Sequence, residues 1–161
     1  MAKYRYITYD EIKSVILYTE RIRDRIIVML MYHTGAKPTQ IVRMRTTDIF
    51  ADGRIRMPSI YPDSFHMHTI IEIPPPLHAD LWYWAQFIQQ KGGNVLFPST
   101  KGAGLPGNRT ISGLEYEHDM MRPERINLIL AEMTKHMLFR ITPSDLAYTY
   151  KCNTKNQQVN R

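Results

Sequence analysis

The stretch TGAKPTQIVRMRTTDI, residues 34–49, places Gly35 and Pro38 three positions apart. Glycine enters the left-handed conformation that ends a helix, and proline suits only the first turn of the next one. Before this break, Ile22, Ile26, Met29, Leu30 and His33 recur at helical spacing, which predicts a helix over about 21–33. After it, Ile41, Val42 and Met44 predict a short helix over about 38–45 that buries those three and leaves Arg43 and Arg45 wet. A chain punctuated this way folds as short helices with sharp turns between them.

The same signals recur along the sequence. Thr8 with Glu11 is a capping box ahead of Ile12, Val15 and Ile16, predicting a helix over about 8–19. An Asp-Gly turn in FADGRIRMP and the β-branched run HTIIEIP predict two strands of a small, mainly antiparallel sheet. LHADLWYWAQFIQQ puts Leu77, Leu81, Trp84, Phe87 and Ile88 on one face of a helix closed near residue 90 by Gly92 and Gly93. Its two tryptophans are expected to pack in the core and not to stack on bases. RPERINLILAEMTKHM starts at Pro123 and carries the stripe Ile126, Ile129, Leu130, Met133 and Met137. TPSDLAYTYKCN has Thr142 as cap, Pro143 at the first position and Asp145 three residues after the cap. The fold class is therefore mixed α+β, mainly α, as a single domain over 1–150, with a basic, aperiodic tail expected to be loose over 151–161.

Composition narrows the function classes. Twenty-one Lys and Arg against fifteen Asp and Glu give a formal charge of +6, which favours a polyanionic partner through counterion release. The single cysteine, Cys152, excludes an internal disulfide and a thiolate zinc site. No apolar run is long enough to span a membrane and the N-terminus has no signal-peptide core, so a cytoplasmic protein without a membrane partner is expected. No cofactor is expected. KGAGLPGN lacks the Gly-Lys-Ser/Thr ending of a phosphate loop, His66 and His68 have no third metal ligand near them in sequence, and Glu115, Glu117 and Asp119 are expected to be a solvated acidic patch.

In order and wording these segments resemble the catalytic domain of tyrosine recombinases, the phage-integrase family. The resemblance covers most of the chain and rests on Thr34, Gly35, Lys37, Gln40, Met44, Arg45 and Asp48, on EIPPPLHADL, on LFPS at 96–99, and on TPSDLAYT at 142–149. It implies that fold, and it implies a site in which arginines fork onto a phosphate, a lysine serves as acid, histidines handle protons and a tyrosine attacks. Here Lys37 stands for the first arginine and Ala147 for the second. Ser144 and Tyr148 stand where histidines belong, and residues 57–73 hold no lysine, the nearest polar groups being His66 and His68. The resemblance places the nucleophilic tyrosine beyond Arg161, and it places a further helical domain ahead of the region this sequence covers. Lysine keeps the charge but loses the bidentate grip, and each lost charge-stabilising donor costs about 2.7–4 kcal/mol in the transition state. Strand cleavage is therefore not expected.

What the resemblance leaves is double-stranded DNA binding. It assigns that role to Lys37, Thr39, Arg43 and Arg45, to His66 and His68, and to Arg122, Arg125 and Asn127, with the last three placed to reach base edges. The expected protein is a regulator or accessory factor of a phage, plasmid or other mobile element, working with a second copy or a recombinase-family partner. Two alternatives stand beside it. One is a divergent recombinase or nicking enzyme using Tyr148 or Tyr150, and the other is an integrase-mimicking interaction module that does not touch DNA.

Overall fold

The computed structural model describes residues 3–60, 68–99 and 120–159. His66, the Gly-rich segment after Ser99 and the acidic patch Glu115, Glu117 and Asp119 lie outside them. The described chain groups into two compact units. One joins the two ends of the sequence, Met1–Pro38 with Glu124–Arg161, and the other is the continuous middle, Thr39–Pro123.

In the terminal unit, α1 (Tyr9–Leu17) starts at the capping box foreseen in the sequence: the Thr8 Oγ1 accepts from the Glu11 N–H at 3.2 Å, and the Glu11 carboxylate accepts from the Thr8 N–H at 2.9 Å. Burial pushes the Glu11 carboxyl up, but the Thr8 hydrogen bonds and the nearby Arg5 outweigh it and hold it below the usual range. α2 (Ile22–Thr34) ends at Gly35, whose φ of 66° is the left-handed stop. Ile22, expected in the apolar series, is exposed because it opens the helix before its inward face is established. α5 (Pro123–Met133) buries Ile126, Ile129, Leu130 and Met133, and ends before Met137, which is only half-buried.

α6 (Pro143–Val159) packs against α2. Its start is held by Thr142 and Asp145, whose carboxylate accepts from the Thr142 N–H at 2.9 Å and hydroxyl at 2.7 Å. The helix continues through residues 151–159, where a loose tail was expected. No apolar period announces it, but a capped helix extends at little cost per residue, and Asn153 gains a long-range partner described below. Among the described residues, no helix is long and apolar enough to cross a membrane.

In the middle unit, α3 (Pro38–Ile41) is a single turn, shorter than the predicted 38–45. Ile41, Val42 and Met44 are buried as expected, but the chain past Ile41 leaves the helix to bridge residues 94–96. Thr46 donates to the Asn94 carbonyl at 2.9 Å and Leu96 to that of Met44 at 3.0 Å. After a 3-10 turn at Thr46–Asp48 come β1 (Arg54–Met57) and β2 (Thr69–Glu72), paired antiparallel with Ile55 opposite Ile71. α4 (Pro75–Gln90) buries Leu77, Leu81, Ala85 and Ile88. Its tryptophans divide: the Trp84 indole donates to the Leu96 carbonyl at 2.7 Å, whereas Trp82 is 37 % exposed and stacks on His78. Phe87, expected on the buried face, is likewise exposed, because that face is narrow and Leu81, Ala85 and Ile88 fill it.

Candidate nucleic-acid interface

Lys37, Ser144, Ala147 and Tyr148 all lie in the terminal unit. Lys37 sits exposed in the turn after α2, while Ser144, Ala147 and Tyr148 lie in the first turns of α6. That turn is fixed by close packing. A Cβ added to Gly35 would come within 2.4 Å of the Tyr150 Cδ1, so only glycine fits between the end of α2 and this ring. Tyr150 is three residues after Ala147, on the same side of α6.

No arginine stands at any of the four positions. Ser144 is exposed and Ala147 offers a methyl group. Tyr148 has its ring against Tyr4, with centroids 6.3 Å apart. A hydrogen bond with the Cys152 thiol, that thiol's charge when ionised, and burial together hold the Tyr148 hydroxyl above the ordinary phenol range. A phenol whose pKa is raised carries less phenolate at neutral pH. Tyr150 spends its ring on Gly35. His33, at the end of α2, is held below the ordinary imidazole range by burial and meets Tyr32 edge-on.

The cationic residues named from sequence have differing surroundings. In the middle unit, Arg43 and Arg45 are half-buried and anchored, not wet as expected. Arg43 Nη1 donates to the Ser59 carbonyl at 2.5 Å, and Arg45 Nη1 to the Asn94 Oδ1 at 3.2 Å. The chain between 41 and 46 is not helical, so these side chains lie along loops with open carbonyls. Thr39, His68 and Arg122 are exposed. Sequence reasoning passed over Arg56, whose Nε pairs with the Asp48 Oδ1 at 2.8 Å while the other Asp48 oxygen accepts from the Arg45 N–H at 2.8 Å. Only the alternation of strand residues hinted at it.

In the terminal unit, Arg125 and Asn127 are exposed on α5. Arg125 lines an open groove of about 780 Å³ together with Arg21, Lys135, Glu20, Asp24 and Glu132. Its charges are mixed, so the groove offers no concentrated positive field. Among the described residues, no three His, Cys, Asp or Glu lie together as a metal site.

The architecture has clear counterparts among solved structures. One is XerA recombinase, with a TM-score of 0.69 and 16 % sequence identity over 90 % of this chain. The fold, mainly helical with a two-strand antiparallel sheet, is recombinase-like. A lambda integrase dimer bound to a COC' core site gives a TM-score of 0.59 and 14 % identity over 93 % of this chain. The chain spans only 48 % and 40 % of those two proteins' lengths. No family model matches the sequence, and no curated protein matches it either. The recombinase-like architecture is thus a likeness of fold, reached at an identity where side-chain chemistry is not inherited.

Proposed function

We propose that this protein binds double-stranded DNA through a recombinase-like fold and does not cut it, acting as a regulator or accessory factor of a mobile element. The observation that carries this reading is the state of α6. Ala147 occupies the position where the resemblance implies a phosphate-forking arginine, Ser144 and Tyr148 those where it implies proton-handling histidines, and the Tyr148 ring packs against Tyr4. A methyl group at 147 and an ammonium at 37 do not stabilise a pentacovalent phosphate as two guanidinium forks would, and a serine and a phenol do not replace two imidazoles in proton transfer.

Retained binding draws support from the net charge of +6 and from the exposure of Lys37, Thr39, His68, Arg122, Arg125 and Asn127. Lys37 would hold phosphates, Arg122, Arg125 and Asn127 would reach base edges, and Arg43 and Arg45 would add charge from anchored positions. A second copy of the chain, or a recombinase, is the partner that would raise affinity on a repeated site.

The test is binding to random and candidate-site duplexes across a salt series, with a denaturing gel of the same samples. The expected result is affinity that falls steeply with salt and leaves no protein-DNA adduct. Arg122→Ala with Arg125→Ala should weaken binding to a preferred site more than to random duplex. A covalent adduct would restore the divergent enzyme, and no binding at low salt would leave the interaction module in its place.

A further inference from the structure

The N-terminal segment ahead of α1 lies along α6 and leaves tyrosine rings at the surface that the proposed duplex contacts do not use. The Arg5 N–H donates to the Asp145 Oδ1 at 2.8 Å and the Ile7 N–H to the Thr149 Oγ1 at 2.9 Å, which pins the segment to the helix. Arg5 lies over the Phe139 ring at 3.4 Å and Ile7 is fully buried. The tyrosines between and beside them stay at the surface: Tyr4, Tyr6 and Tyr9 are 39 %, 43 % and 52 % exposed.

These rings stand in two linked groups. Tyr4 meets Tyr148 at 6.3 Å. The Tyr6 hydroxyl donates to the Asn153 Oδ1 at 2.7 Å, and Asn153 also hydrogen-bonds Tyr32, which in turn meets Tyr9 at 6.3 Å. Burial first, then the nearby Tyr6 and Tyr9, push the Tyr32 hydroxyl up against the opposing pull of Asn153. Each group of rings carries an ammonium: Lys3 Nζ is 5.6 Å from the Tyr4 centroid and Lys13 Nζ 4.9 Å from that of Tyr9. The acidic groups beside them are already engaged, Glu11 with Arg5 and Asp145 with Thr142 and the Arg5 N–H, while Asp10 adds one exposed carboxylate.

A run of exposed aromatic faces flanked by cations is the chemistry that takes unpaired nucleotides, with bases on the rings and phosphates on the ammonium groups. A stacked duplex does not present base faces, so such a row discriminates against it. We infer that the Tyr4–Tyr6–Tyr9 row, with Lys3 and Lys13, is a binding surface for single-stranded nucleic acid. This goes beyond the duplex-binding proposal and does not depend on it.

The test uses the full chain and fluorescence anisotropy with labelled oligothymidylate of about 12 nucleotides, beside a duplex of equal length. The single strand should bind tighter than the duplex. Tyr4→Ala with Tyr9→Ala should weaken single-strand binding roughly tenfold per ring removed, whereas Tyr4→Phe with Tyr9→Phe, which keeps both faces, should bind as the parent does. Lys3→Ala with Lys13→Ala, at surface positions that leave the fold intact, should also weaken binding and flatten its salt dependence, so the inference stays testable if the alanine pair at the tyrosines unfolds the protein. Absent single-strand binding, equal affinity for both probes, a phenylalanine pair as weak as the alanine pair, or a lysine pair like the parent would each overturn it. Loss of duplex binding with oligothymidylate binding intact would sink only the duplex proposal.

Discussion

The two units are tied by different kinds of contact. In the terminal unit, the side-chain ties between the N-terminal segment and α6 join residues 140, 142 and 147 positions apart. In the middle unit the side-chain ties are short-range by comparison: Asp48 serves Arg45 and Arg56, three and eight residues away, Arg43 reaches Ser59 at sixteen, and Arg45 to Asn94 spans 49. The middle unit therefore spends its arginines on its own loops. The terminal unit holds its shape with tyrosines, hydroxyls and one obligatory glycine, and it contains Lys37, Ser144, Ala147 and Tyr148. Rings pack around this region, with Tyr148 against Tyr4 and Tyr150 against Gly35.

The sharpest way to break that arrangement is Gly35→Ala. A methyl group would meet the Tyr150 ring and force a left-handed φ on alanine, so we expect a loss of about 2–4 kcal/mol in denaturant unfolding. In a cycle with Tyr150→Ala, the two changes should cost less together than their sum, because the smaller partner relieves the clash but not the backbone strain. Strict additivity would mean that the ring is not what excludes a side chain at position 35.

The contrast between the units is sharpened by removing one tie from each. Thr149→Val deletes the acceptor of the buried Ile7 N–H and should cost about 1–3 kcal/mol. Asp48→Ala deletes the acceptor of the Arg45 N–H and a half-exposed ion pair, and should cost about 1–2 kcal/mol. Hydrogen exchange would rise first around the N-terminal segment and α6 in the former, and around residues 45–56 in the latter. The same protection loss in both variants would contradict the separation into two units.

The smallest expected effect is a pH dependence confined to the terminal unit. Burial depresses the folded-state pKa of His33, so the unfolded chain binds more protons in the window below the unfolded value of about 6.5. The stabilising contribution is present above that pH and is lost as pH falls through the depressed folded value. His33→Gln should flatten melting temperature against pH in that window. An unchanged slope would assign the dependence to another group.

Much of the local structure was legible beforehand. The Thr8–Glu11 and Thr142–Asp145 caps, the stop at Gly35, the start at Pro123 and the stripes of α4 and α5 are written in neighbouring residues, where capping and helical period act. The errors fall where that grammar is silent. α3 stops early because Thr46 and Leu96 make bridge hydrogen bonds with a segment some fifty residues on. α6 runs past Lys151 because Asn153 meets Tyr6 from the other end of the chain.

The sequence by itself determined which segments become helix or strand, the excess of positive charge, and the absence of arginine at positions 37 and 147, since these depend only on residue identity and short-range period. Only the tertiary structure decided that Arg43 and Arg45 are anchored, that Tyr150 makes Gly35 obligatory, and that Tyr4 meets Tyr148 and Tyr9 meets Tyr32. Those outcomes depend on which surfaces meet after the ends of the chain come together, and a pairing across 140 residues leaves no periodic trace in either partner.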